Sequence, residues 1–188
     1  MRPEFSLFPT SLGACGIAWT GEKVVATNLP EGSEAATAAR LVRRAGAAKG
    51  EPPRAIREAI SSMIALLDGG RTDLTFIACD FSKADPFAVQ VYVAARAIPA
   101  GETSTYGAIA LRLGDKLLAQ KVGTALGRNP FPIIVPCHRV IGANGRLTGF
   151  SANGGVETKL RMLAIEGARV GEPPGLFGDL PLAATPRR

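Results

Sequence analysis

The stretch TSTYGAIALRLGDKLLAQKVGTALGRNP, residues 103–130, decides how the second half of this chain folds. It opens on Ser/Thr residues suited to cap a helix, runs through a short periodic segment (Tyr106–Leu113), breaks at Gly114-Asp115 and resumes as a second helix from about Lys116 to Leu126. Two short helices joined by a tight turn predict a helix-turn-helix. In the second helix Leu118, Val122, Ala125 and Leu126 share one face, leaving Leu117, Gln120, Lys121, Thr124 and Arg128 on the other. That outer face is polar, small and basic. A helix lying in a DNA groove and a solvated surface helix both fit this pattern.

Immediately downstream, PIIVPCHRVIG (132–142) sets a thiol beside an imidazole in an otherwise apolar run. His138 is the only histidine of the chain and Cys137 one of three cysteines, and a lone histidine cannot build a zinc site. A cysteine attacks as thiolate and needs a base to take its proton; His138, with an unperturbed pKa of ~6.5, is the only imidazole on offer. If the segment is extended, adjacent side chains point to opposite sides, which favours a water bridging thiol and imidazole, with a carboxylate on the other ring nitrogen. The competing reading makes Cys137 a small buried apolar residue. Two glycine-rich turns, GANGRLTGF (142–150) and SANGG (151–155), can flank a pocket. A helix over Glu157–Glu166 follows with Gly167 as its C-cap, and 171–188 reads as a poorly ordered tail.

Working back toward the N-terminus, Phe87–Ala97 is helical with Phe87, Val91, Ala94 and Ala95 on one face, and Phe81–Pro86 reads as a linker. Before it, the apolar runs 12–19 and 23–29 around Thr20-Gly21-Glu22 predict a strand hairpin. Ser33 caps a helix through Arg44 with Ala35, Ala38, Ala39 and Val42 facing inward. Pro52-Pro53 opens a helix carrying Ile56, Ile60, Met63, Ile64 and Leu67, and Leu74–Asp80 reads as another strand. The expected fold class is an α/β N-terminal domain (1–85), a small mixed or antiparallel sheet with helices, and then a mainly helical domain (86–170) containing the helix-turn-helix.

With 188 residues, 46% of them hydrophobic, the chain can bury a core without staples. Cys15, Cys79 and Cys137 are odd in number and widely spaced, and no apolar leader precedes them, so a reducing cytoplasmic setting is expected. No run of about 20 apolar residues could span a membrane. The net charge is +6 and unevenly spread: residues 1–85 hold 10 basic and 10 acidic side chains, residues 86–188 hold 12 and 6. A positive second half suits an anionic polymer, nucleic acid first of all, although a soluble basic surface has the same composition.

Three segments together resemble one family. GETSTYGAIA (101–110), GRNPFPIIVPCHRV (127–140) and the glycine-rich run ending in KLRMLAIEG (159–167) are similar to the O6-alkylguanine-DNA alkyltransferases, the methylated-DNA–protein-cysteine methyltransferases. The likeness runs from about Phe87 to Gly167; residues 1–85 share only a general layout. It implies DNA repair by one-turnover transfer of an alkyl group from O6 of guanine to Cys137, and leaves open whether O4-alkylthymine also serves. His138 would be the water-mediated base, Glu166 the carboxylate that orients it, Asn129 the hinge to the Cys segment, and Tyr106 an aid to rotating the flipped nucleotide. The resemblance assigns Gln120, Lys121, Thr124, Arg128 and Arg139 to DNA, and Val140, Ser151, Ala152, Asn153 and Gly154 to the substrate loop. It implies a monomer acting on double-stranded DNA that contains O6-alkylguanine, with no membrane and no cofactor.

The chain departs from the family at two places. Gln120 stands where an arginine commonly fills the base stack, and the binding loop reads FSANGG rather than aromatic-Gly-Gly. Many members bind zinc in the first domain, but here residues 1–137 offer only Cys15, Cys79 and Cys137 and no histidine, so no metal is expected. Two alternatives stand beside transfer: a lesion-recognising DNA-binding protein with weak or no transfer, in which the reactive cysteine is replaced, and a cysteine hydrolase, which leaves the helix pair and the one-sided charge unexplained.

Overall fold

The structure, a computed structural model, describes residues 1–147 and 149–168, so the tail expected over 171–188 lies outside the described residues. A four-stranded sheet of order β3-β2-β1-β4 is built from β1 (Glu4–Thr10), β2 (Gly13–Thr20), β3 (Lys23–Asn28) and the two-residue β4 (Ala48–Lys49). The β2–β3 hairpin falls where the sequence places it. β1 is an addition, antiparallel to β2 and parallel to β4. Along β2 the residues alternate: Cys15, Ile17 and Trp19 enter the main core, while Ala14, Gly16 and Ala18 face α1 (Glu34–Ala45). The small side chains let the helix lie close; a Cβ at Gly16 would collide with the Leu41 side chain.

Ser33 caps α1 as expected, its hydroxyl accepting from Ala36 N. Of the expected inward face only Ala38 packs inward: Thr37 and Leu41 are buried, Ala35 and Ala39 are exposed, and Val42 is 45% exposed. The five alanines of α1 fit either side of the helix, and Thr37 and Leu41 set the direction. In α2 (Arg54–Leu67) the predicted stripe holds, with Ile56, Met63 and Leu67 buried. The strand expected over 74–80 is instead a loop with one bridge, Cys79 to Val24. Its carbonyls turn to a side chain: the Arg96 guanidinium donates to Leu74, Thr75 and Ile77.

The expected linker is packed rather than loose. Phe81 meets Tyr92 and stacks edge-on against Phe131, and a single apolar core runs from Phe8 and Trp19 of the sheet through Val91, Val122 and Met162. Asp85 caps α3 (Pro86–Arg96). After β5 (Ser104–Thr105), Thr105 caps α4 (Tyr106–Arg112). Asp115 then caps a 3₁₀ turn over Lys116–Leu118, which feeds α5 (Ala119–Gly127). Val122, Ala125 and Leu126 are the buried face of α5, and Gln120, Lys121, Thr124 and Arg128 are exposed. β6 (Val140–Ile141) pairs parallel to β5, and α6 (Gly155–Ile165) closes the described chain, with Gly167 left-handed just beyond it. No helix among the described residues is long and apolar enough to cross a membrane.

Candidate active site

The segment between α5 and Cys137 is wound around one side chain. Asn129, 7% exposed, donates from Nδ2 to the Val135 carbonyl (2.9 Å) and accepts from Phe131 N (2.9 Å). Pro136 (φ −79°, ψ 66°) centres an inverse γ-turn, closed by Cys137 N–H donating to the same Val135 carbonyl (2.8 Å). Ile133, three residues before Pro136, is buried and holds φ +77°, the only positive φ outside glycine among the described residues. For a β-branched residue that is a strained conformation.

Cys137, His138 and Arg139 form a 3₁₀ turn, not the extended segment considered from sequence. The half-buried thiol opens into a pocket of about 90 Å³ bordered by Asn129, Pro132, Phe150, Ser151 and Ala152. Burial pushes its pKa up; the Asn129 amide and then the Lys159 ammonium pull the other way. A resting thiol in this setting is protonated, so transfer of its proton must accompany attack.

His138 is fully buried, and its Nε2 lies 2.9 Å from Glu166 Oε1. Arg139 grips the same carboxylate from two sides, Nε to Oε2 (2.9 Å) and Nη2 to Oε1 (2.8 Å), while Nη1 donates to the Ile98 carbonyl. Burial alone would raise the Glu166 pKa; hydrogen bonds from His138 and Arg139 outweigh it and bring the group down to about 2. An ionised carboxylate only accepts, so the imidazole proton sits on Nε2. Nδ1 then keeps its lone pair, and it is buried without a hydrogen-bond partner among the described residues. Burial depresses the His138 pKa, with Glu166 opposing, so the ring is neutral and basic at neutral pH.

Lys159 was not singled out by the sequence reading. It is fully buried, donates from Nζ to the Val140 carbonyl (2.7 Å), and lies 5.8 Å from the centre of the Tyr106 ring. The signal was present: Lys159, Met162, Leu163 and Glu166 follow helical spacing, and two charges on the buried stripe of α6 and its C-cap mark a site. Tyr106 opens α4, and its ring lies over Gly123 of α5, 3.7 Å from where a Cβ would stand.

Two assignments need correction. Arg139, expected on DNA, is 6% exposed with its donors committed to Glu166 and Ile98, so it holds the carboxylate rather than phosphate. Val140, expected in the substrate loop, is a fully buried residue of β6. Ser151 and Ala152 do border the Cys137 pocket; Asn153 and Gly154 are exposed beside it, at the start of α6. A cleft of about 950 Å³ elsewhere on the surface does not reach the thiol. Lys121, Thr124 and Arg128 line it opposite Phe87 of α3, with Lys121 Nζ 4.2 Å from the Phe87 ring centre. The basic flank of α5 and the thiol therefore open on different hollows.

The chain resembles known proteins in both sequence and fold. A family model described as the DNA binding domain of 6-O-methylguanine DNA methyltransferase matches residues 86–168. The chain is 43% identical over 116 residues to the methylated-DNA–protein-cysteine methyltransferase of Mycolicibacterium paratuberculosis, a stretch covering 62% of this chain and 68% of that protein. The crystal structure of the Mycobacterium tuberculosis O6-methylguanine methyltransferase superposes with a TM-score of 0.72 at 31% identity, covering 93% of this chain and 98% of that one. The Mycobacterium tuberculosis OGT in complex with DNA superposes at 0.69 and 30% identity, covering 87% and 92%.

Proposed function

Because this chain belongs to the methylated-DNA–protein-cysteine methyltransferase family, we propose that Cys137 is the residue to which it transfers the alkyl group from O6 of guanine in DNA. Direct transfer is a displacement at carbon. The S–C bond forms as the C–O6 bond breaks, the electron pair leaves with guanine, and the protein ends as an S-alkylcysteine. The proton lost by the thiol balances the one guanine gains.

The observation that carries the assignment is the buried His138–Glu166 pair, which fixes the tautomer and leaves Nδ1 basic and, among the described residues, without a partner on the residue that follows Cys137. A water between thiol and Nδ1 would relay the proton, as in other nucleophile–base–orienter sets. Arg139 keeps Glu166 ionised, and the Lys159 charge favours the thiolate as it forms. No metal or organic group is needed for this step.

A guanine stacked in duplex cannot present its O6 substituent to a thiol in a pocket, so the nucleotide must be extruded, at an unstacking cost of a few kcal/mol. In this reading α4, the Gly114-Asp115 turn and α5 act as a helix-turn-helix, with the exposed face of α5 in a groove and Gln120 nearest the vacated stack. Tyr106 assists rotation of the nucleotide, and Ser151–Gly154 cover the base. The support is the exposed polar face of α5, the Tyr106–Gly123 contact, and the place of Ser151 and Ala152 on the thiol pocket. Intact-mass measurement after incubation with O6-methylguanine duplex tests the proposal. One added methyl, mapped to the Cys137 peptide, supports it; tight binding with unchanged mass, or a methyl on Cys15 or Cys79, refutes it.

A further inference from the structure

Residues 1–85 contribute no side chain to the proton relay, yet they hold the backbone that leads to it. Four carbonyls of the segment after α5 are taken by two residues of the N-terminal half. Arg44, at the end of α1, donates from Nη2 to Asn129 O (2.8 Å) and, more weakly, to Arg128 O (3.4 Å). Thr27, fully buried in β3, donates from its backbone N–H to Pro130 O (3.0 Å) and from Oγ1 to Pro132 O (2.6 Å). Carbonyls at the end of a helix lack intrahelical partners, and a cation there also meets the negative end of the helix dipole.

The connection continues to the thiol. Asn129 passes from the Arg44 bond to the Val135 carbonyl through its own amide, and that carbonyl also accepts from Cys137 N–H. Three hydrogen bonds thus link α1 to the backbone of the nucleophile. The intervening stretch includes Ile133 at φ +77°, a conformation that surrounding structure must impose.

We infer that Arg44 and Thr27 are positioning residues for alkyl transfer: the N-terminal half acts as a clamp that sets the 128–137 segment, and so the aim of Cys137, without touching DNA base or alkyl group. The inference rests on the assignment of Cys137 as alkyl acceptor. Attack on carbon depends steeply on alignment, and a displacement of about 1 Å can cost on the order of 10²-fold in rate.

The test compares Thr27→Val, Arg44→Leu and Arg44→Lys with a control, Arg161→Ala. The control removes a different link between the halves, Arg161 Nη2 to Ser11 O, far from the hinge segment in the chain. The readouts are the first-order transfer rate at saturating O6-methylguanine duplex, the duplex dissociation constant, and amide hydrogen exchange at Phe131, Val135 and Cys137. Thr27→Val and Arg44→Leu should slow transfer by roughly tenfold to a hundredfold. Their duplex affinity should stay within about twofold, with faster exchange at the three amides, because the docking face of α5 is not part of the clamp. Arg44→Lys should recover much of the rate by reaching the Asn129 carbonyl. Wild-type rates in both Thr27→Val and Arg44→Leu, or equal slowing by Arg161→Ala, overturn the clamp. If the wild-type protein itself acquires no alkyl group, the assignment of Cys137 fails instead. Exchange at the three amides then decides the clamp alone, and unchanged protection in both variants overturns it.

Discussion

Replacing Glu166 by glutamine keeps the shape of the buried group and removes its charge. In the wild type the folded-state pKa is about 2 against an ordinary value of 4.5, and the side chain is 1% exposed, so solvent screening does little to reduce the effect. At about 1.36 kcal/mol per unit, the ionised carboxylate contributes about 3 kcal/mol to folding. That agrees with the ~3–5 kcal/mol typical of breaking a buried ion pair. The sign follows from the depressed pKa: the contribution is complete above pH 4.5 and disappears as pH falls toward 2. Glu166→Gln should therefore unfold with about 3 kcal/mol less free energy at pH 7, a fall in Tm of roughly 6–12 °C for a chain this size. The gap between variant and wild type should close between pH 4.5 and 2. Urea denaturation followed by circular dichroism across that range measures it. A gap that is absent at pH 7, or that stays constant down to pH 2.5, would show that the Glu166 charge is not what the His138–Arg139 cluster is built around.

Other perturbations separate the remaining roles. Cys137→Ser should bind O6-methylguanine duplex and gain no mass, while in the wild type the label should avoid Cys15 and Cys79, neither of which lines the pocket bordered by Ser151 and Ala152. His138→Ala should lower the transfer rate by ~10²–10⁴-fold, with much less effect on duplex affinity in a gel-shift titration. Lys159→Met should slow transfer at pH 7 and move the rising limb of the pH–rate profile to higher pH, because the lost ammonium had favoured the thiolate; an unmoved profile refutes that role. Gln120→Ala should slow repair of duplex far more than reaction with free O6-benzylguanine, which needs no extrusion, and Gln120→Arg should preserve the duplex rate. Equal slowing of both substrates would place Gln120 in the pocket.

The helices of the second half were legible because their signals are local. Thr105 and Asp115 are caps visible in sequence, and Val122, Ala125 and Leu126 carry the period of α5. Cys137, His138, Glu166 and Asn129 could be singled out by resemblance; His138 and Glu166 are hydrogen-bonded to each other, and Asn129 is hydrogen-bonded to the segment that leads to Cys137. What sequence could not give were the partners that come from far along the chain. Arg139 reads as one more basic residue in a basic half until Glu166, 27 positions away, is seen to hold it. The 74–80 segment has strand composition, but the Arg96 guanidinium collects its carbonyls before a neighbouring strand can. The α1 face failed for a different reason, since alanine fits either side of a helix and only Leu41 and Thr37 carried direction.

The left-handed Ile133 constrains how this protein can drift. A glycine there would relieve backbone strain of ~1–3 kcal/mol, but it would also empty a buried site, and truncating a core isoleucine costs ~2–5 kcal/mol. Asparagine tolerates the backbone better, yet brings an amide into apolar surroundings. Each of these two replacements therefore relieves the backbone at the expense of the packing. Relaxing the backbone at this position without loss of packing calls for paired changes, a glycine together with a neighbour that grows into the space.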